Sequence, residues 1–387
     1  MLPAPAAAQS FANFESGHVR PLALSPDGNR LFAVNTPDNR LEIFSIGGGG
    51  ELTHEGSVVV GLEPIALAAR SDAEVWVVNH LSDSISVVDV SSSPARVTRT
   101  ITTCDEPRDI VFAGPGGNRA FVTTARRGQN CPVAFNPTTP GIGRAVVQVW
   151  DATALGGGLG ESPFATLELF AVSPRALARS ADGYTVYAAA FHSGNQTTSI
   201  LETSVCDGGA AAGPCPAAGT TAPGGLPAPN VDADGVPGPE TGLIVKFDNG
   251  TNQWLDTLGR DWSNVVRFNL PDRDVFAIDA AAPVPVATTD FRHVGTILFN
   301  MVQNPVNGKV YVTNTEARNE VRFEGPGENG ATTVQGHLHE ARITVLDGSN
   351  VLPRHLNKHI DYDVRPAPPG TAANSLATPT AMAVTSD

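Results

Sequence analysis

The chain has 387 residues, 41% hydrophobic and only 17% charged, with 39 Gly and 31 Pro. That turn-rich profile excludes a coiled coil or a disordered chain and suits an all-β globular protein. Asp and Glu outnumber Lys and Arg by 39 to 25, a formal charge of −14, which argues against nucleic acid or an anionic membrane surface as partner. No apolar run approaches the length of a membrane-spanning helix.

In chain order, residues 1–13 read as a disordered tail or the small-residue remnant of an export signal. Phe14 to Val19 reads as an outer or closing strand. Pro21 to Ser25, the turn Pro26-Asp27-Gly28, Leu31 to Asn35 and Leu41 to Phe44 then alternate apolar and polar residues as strands do, and Ser57 to Val60 supplies a fourth strand. The same grammar returns at Pro64 to Ala68, Val75 to Asn79 and Ile85 to Asp89, with Val97 to Thr102 as outer strand. The offsets from Pro21 to Pro64 and from Pro64 to Pro107 are both 43 residues. A fixed period of short strands in this range marks a propeller blade repeat.

The expected fold is therefore an all-β propeller of four-stranded antiparallel blades, incomplete, with about five blades and the first strand of a sixth. One propeller domain spans 14–387, in units 14–62, 63–105, 106–172, 173–292 (insertion 202–241), 293–376 and the start of the next at 377–387. Asp182-Gly183 and Asn307-Gly308 are hairpin turns of the fourth and fifth units, since both pairs tolerate positive φ. The third unit carries an insertion at 126–144. Leu243 to Asp248 resumes the strand pattern in the fourth, and Val265–Leu270 and Val275–Ile278 form a hairpin around Pro271-Asp272-Arg273-Asp274. The innermost strand of each unit is expected to bury both faces. A unit broken off at Asp387 further implies a fragment of a longer protein.

Tyr311-Val312-Thr313-Asn314 is the literal signature of the YVTN-type β-propellers, and Ala33-Val34-Asn35 and Val77-Val78-Asn79 resemble degenerate copies. Thr124 and Ala190 stand where the third and fourth units would carry the Asn. The resemblance covers most of the chain and implies fold rather than activity, because such propellers host many functions. The segment Arg354 to Tyr362 resembles the propeller portion of larger bacterial secreted proteins that also carry a c-type-cytochrome or peroxidase-like region. That resemblance implies a protein partner or a further domain of the same chain.

Cys206 and Cys215 sit in a Gly/Ala/Pro loop that builds no core of its own, while Cys104 and Cys131 flank the start of the third unit and its insertion. Bridges Cys206–Cys215 and Cys104–Cys131 are expected, and with them an oxidising compartment, periplasmic or extracellular. Asn230, Asp232 and Asp234 place oxygens at alternate positions before Gly235, with Glu240 beyond, a pattern suited to a hard cation such as calcium. Pro237 and Pro239 exclude an EF-hand helix. His337 and His339 alternate on an expected strand, and His355 and His359 have helical spacing. Surface hydrogen bonding accounts for these histidines better than a metal does, because no established ligand motif is matched.

No nucleophile elbow, phosphate loop, dinucleotide or flavin fingerprint, or haem-attachment Cys-x-x-Cys-His occurs in the sequence. Two functional classes remain. The first is a secreted binding or scaffold module whose insertions present a surface, possible as the non-haem part of a larger cytochrome-like oxidoreductase. The second is a metal-dependent hydrolase similar to the propeller lactonases, with Arg108, Asp109 and Arg175 at the starts of inner strands.

Overall fold

The computed structural model describes residues 16–126, 130–131, 143–157, 162–217, 219–228, 230–231, 235–267, 272–320, 337–362, 364 and 367–385. It is all-β, built on five four-stranded antiparallel sheets of the propeller type. Sheet one is β1 (Leu22–Leu24), β2 (Arg30–Asn35), β3 (Arg40–Ile46) and β4 (Leu52–Val59), and sheet two is β5 (Pro64–Ala69), β6 (Glu74–Asn79), β7 (Ser84–Asp89) and β8 (Arg96–Thr102). Sheet three is β9 (Ile110–Ala113), β10 (Arg119–Ala125), β11 (Ala145–Asp151) and β12 (Ala165–Leu169). Sheet four opens with β13 (Pro174–Arg179) and β14 (Thr185–Ala190). An insertion then carries β15 (Thr197–Ile200), β16 (Cys215–Ala217), β17 (Thr220–Ala222), β18 (Leu243–Asp248) and β19 (Gln253–Leu255) before the sheet resumes with β20 (Val275–Asp279) and β21 (Val286–Phe291). Sheet five is β22 (Ile297–Gln303), β23 (Val310–Ala317), β24 (His339–Asp347) and β25 (Asn350–His355).

The chain divides into two compact units, residues 1–110 with 126–135 and 154–162, and residues 111–125 with 136–153 and 163–387. In the first, Phe32, Val34, Leu41 and Ile43 of sheet one close on Leu67, Val75, Val77 and Val88 of sheet two. In the second, one core joins Phe121, Val147 and Val149 to Leu177, Val186 and Ile278, and another joins Ala176, Ala189 and Val275 to Leu298, Met301 and Val312. Each core thus lies between consecutive sheets, because the twisted faces are apolar and each finds its cover in the next blade.

The YVTN signature has a mechanical reading. Asn314, fully buried within β23, donates to the Val312 carbonyl at 3.0 Å and to Thr344 Oγ1 on the next strand at 2.8 Å. Asn79 does the same in sheet two, donating to Ser84 and Ser86 Oγ at 3.2 and 3.0 Å. Both amides press against a glycine, Gly295 and Gly61, where an added Cβ would collide with them.

The hairpins at Asp27-Gly28, Asp182-Gly183 and Asn307-Gly308 join β1 to β2, β13 to β14 and β22 to β23. The last loop is six residues rather than two, because Asn304 Oδ1 accepts the Val306 and Asn307 amides and Gly308 N donates to the Asn304 carbonyl. Four other expectations are corrected. Leu243–Asp248 is a strand, but of the three-stranded sheet β15-β18-β19, and the third strand of sheet four is β20. β20 pairs with β14 on one side and β21 on the other, so Asp272 to Asp274 is not a hairpin turn; residues 265–267 form no strand, and 268–271 lie outside the described residues. Leu22 and Leu24 of β1 are 54% and 57% exposed, because alternation turns only Ala23 towards the core. Near the ends of the chain, Arg20 forms an isolated bridge to Ala66 and no strand precedes it among the described residues, and 375–385 likewise form no strand after a four-residue helix α1 (Thr371–Asn374).

Candidate functional site

The insertion between β14 and β20 builds its own core from Ile200, Val205, Leu226, Val245, Trp254 and Trp262, with the Cys206–Cys215 bridge at its edge. Trp262 is fully buried and its indole N–H donates to Asp256 Oδ2 at 2.9 Å, while Arg260 holds the same oxygen at 2.7 Å. The second expected bridge, Cys104–Cys131, is also formed, and among the described residues no cysteine is free.

The sequence-predicted cation loop lies on this insertion. Asn230 Oδ1 accepts the Ala210 amide at 3.0 Å, and its Nδ2 donates to the Leu226 and Pro227 carbonyls, so the side chain ties the loop together. Glu240 is exposed and brings a carboxylate oxygen within 4.8 Å of those of Glu202 and Asp207, which flank Cys206. A cavity of about 250 Å³ adjoins them, lined by Gly208, Leu226, Asn230, Val231, Pro239 and Glu240. Asp232 and Asp234 lie outside the described residues. Glu202 and Asp207 escaped the sequence reading because they lie more than 30 residues before Glu240 and meet it only through the fold of the insertion.

A second polar cluster joins the insertion to sheet five. Lys246 on β18 lies 3.6 Å from Glu316 and 3.4 Å from Glu320, and Arg342 meets Glu316 at 3.7 Å and Glu340 through Nε at 2.9 Å. Burial raises the Glu316 carboxyl above its ordinary range, against the pull of Arg342 and Lys246. His337 stacks on Tyr362 at 3.6 Å between ring centroids, and His355 lies 6.2 Å from the same ring. Burial and the neighbouring Arg318 lower the His337 pKa, so it is neutral at physiological pH. His339 is exposed, and residues 356–359 form no helix, so the spacing of His355 and His359 does not gather them on a helical face. Among the described residues, three ligand atoms of His, Cys, Asp or Glu meet only at Glu202, Asp207 and Glu240.

Beside that cluster sit two carboxylates that sequence reasoning passed over as turn residues, Asp272 and Asp274, 8% and 0% exposed. Asp274 accepts the Val294 amide at 2.6 Å and the Ser193 hydroxyl. Burial raises both carboxyls, that of Asp274 strongly and with the repulsion of Asp272 added. Of the inner-strand residues, Asp109 is fully buried and gripped by Arg20 through two contacts of 3.0 Å, Arg108 pairs with Glu106 at 2.9 Å, and Arg175 lies 4.8 Å over the Phe191 ring.

No family model and no curated protein matches the chain. Among solved structures, it is similar to hydrazine synthase of Kuenenia stuttgartiensis, at 17% identity and TM-score 0.49, over 90% of this chain and 69% of that one. A candidate 6-phosphogluconolactonase of Bacteroides uniformis aligns at 12% identity and TM-score 0.43, over 87% and 69% of the two chains. A functionally unknown protein of Desulfotomaculum acetoxidans aligns at 18% identity and TM-score 0.35, over 44% and 50%. At these identities and scores nothing about activity passes from them to this chain.

Proposed function

We propose that the chain is an extracytoplasmic YVTN-type propeller, periplasmic or extracellular, that works as a binding or scaffold module and presents its fourth-sheet insertion to a protein partner or to a further domain of the same polypeptide. The observation that carries this reading is the insertion itself. A segment of this length, with its own tryptophan core and a disulfide, adds nothing to the blade it interrupts, since β14 pairs with β20 directly across it. Long insertions retained in a compact fold are where function concentrates. Calcium is the cation we assign to Glu240 with Glu202 and Asp207, with Asp232 and Asp234 as further acids of the loop. It would neutralise the rim of the cavity and stiffen it for a partner, and the absence of a haem, nucleotide or flavin motif in the sequence fits a module without a redox cofactor of its own.

The test separates this reading from the metal-dependent hydrolase. Protein purified without chelator is assayed for bound metal and for turnover of a panel of lactones, before and after EDTA. The expected result is calcium binding that the E202Q/E240Q variant weakens by about tenfold or more, and no chelator-sensitive turnover. Lactone hydrolysis abolished by EDTA would overturn the scaffold reading.

A further inference from the structure

Three blade junctions share a clasp. The residue before the third strand accepts an amide from the start of the next blade: Asn39 from Glu63 at 2.8 Å, Asp83 from Glu106 at 2.7 Å and Asp274 from Val294 at 2.6 Å. A left-handed backbone accompanies each clasp, at the donor itself for Glu63 (φ 51°) and Glu106 (φ 53°) and at the residue before the donor for His293 (φ 63°). The clasp accounts for Asp274 without any ligand, and in the first two junctions the residue two places earlier is Pro37 or Leu81.

At the third junction that place holds Asp272, which serves no clasp. Asp272 is 8% exposed, and both its carboxylate oxygens are buried without a well-formed hydrogen bond. The nearest polar groups are the Gly194 amide and the Asp274 carboxyl, and the positive field that reaches it comes from His293 and Arg292. Gly194 has no room for a side chain, since a Cβ there would lie 2.9 Å from Asp272 Oδ1. A buried carboxylate with so few donors is costly, and setting it against a second one costs more. Such a pair persists where something positive completes it. The oxygens grouped there are two carboxylates, the Ser193 hydroxyl on Asp274, and the Arg273 carbonyl 3.5 Å from that hydroxyl.

We propose that Asp272 and Asp274, with Ser193 Oγ, seat a divalent cation at the junction of sheets four and five. The all-oxygen set selects a hard ion, and its irregular layout suits calcium, which tolerates variable geometry, better than magnesium, which demands an octahedron. The site goes beyond the proposed function: it lies within the blade junction rather than on the insertion, and an ion here would lock two sheets together.

The experiment uses the full chain as the E202Q/E240Q variant, in which calcium binding at the insertion is weakened, and the D272N change identifies the junction site. The protein is stripped with EDTA, dialysed, titrated with CaCl2 by calorimetry at neutral pH, and melted with and without CaCl2. Binding and a calcium-dependent rise in melting temperature are expected to remain. Adding D272N is expected to weaken binding at least about tenfold while leaving the calcium-free melting temperature equal or higher, because a buried charge beside a second carboxylate is gone. S193A, a milder change, should weaken binding severalfold and keeps the test alive if D272N does not fold. No calcium heat and no thermal shift up to about 10 mM would overturn the proposal and leave a shared proton between the two carboxyls. Unchanged affinity in D272N, or in S193A should D272N not fold, would overturn it equally.

Discussion

At the scale of single residues, the chain repeats a few devices and departs from them once. Asn79 and Asn314 pin a second strand to a third, and Asn39, Asp83 and Asp274 pin a third strand to the next blade. Asp272 is the departure, and it fixes a pH dependence. Its carboxyl and that of Asp274 are raised by burial, facing Ser193, Val294 N, His293, Arg292 and, further off, Glu316. Between the ordinary carboxylate pKa and the raised folded values, the native state binds more protons than the unfolded chain, so the pair's contribution to stability falls as pH rises through that window. In EDTA, the melting temperature of the wild type is therefore expected to drop relative to that of D272N between about pH 4 and neutrality. Differential scanning calorimetry of the two proteins across that range checks it; parallel curves would mean the two carboxyls are not coupled.

At the scale of elements, the insertion shows what a linear reading recovers and what it misses. The 43-residue spacing, the Asp-Gly and Asn-Gly turns and both cysteine pairs were legible, because each depends on residues near in sequence or on a parity of thiols in loops. Which strand belongs to which sheet was not legible in the fourth unit. Leu243 to Asp248 alternates as well as Val275 to Asp279 does, and only the register of Thr185 to Ala189 against Val275 to Asp279 decides between them. The Asp272 site was hidden for the same reason: Pro-Asp-Arg-Asp has the composition of an exposed turn, and its burial comes from Ser193 and Val294, both far away along the chain. Within the insertion, β16 and β17 make only a three-residue ladder, so the Cys206–Cys215 bridge carries much of the local order. Closing that short loop is worth roughly 3 kcal/mol in lost unfolded-state freedom. The C206S/C215S variant is expected to be nicked by protease within 200–260 under conditions that spare the wild type, with the blade sheets still resistant. An unchanged cleavage pattern would show that the tryptophan core holds the insertion unaided.

At the scale of the molecule, two electrostatic effects compete. The net charge of −14 makes the folded chain repel itself, and the repulsion is long-ranged, so salt relieves it. Against it stand ion pairs that salt weakens, Lys309–Asp347 and Arg292–Asp290 among the more open ones, each contributing little. The strongest pairs, Arg20–Asp109 and Arg260–Asp256, have fully buried carboxylates and are screened least. Raising ionic strength from about 10 to 150 mM shortens the screening length from about 30 to 8 Å, which removes repulsion between distant acids while leaving those buried pairs nearly intact. Repulsion is therefore the term that changes, and the melting temperature in EDTA at neutral pH is expected to rise with NaCl by about a degree, on the order of 1 kcal/mol. The rise should saturate near physiological strength, where the screening length falls below the spacing of surface acids. A melting temperature that falls over the same range would mean that the exposed ion pairs outweigh the net charge, and Lys309→Ala would then be the variant that flattens the curve.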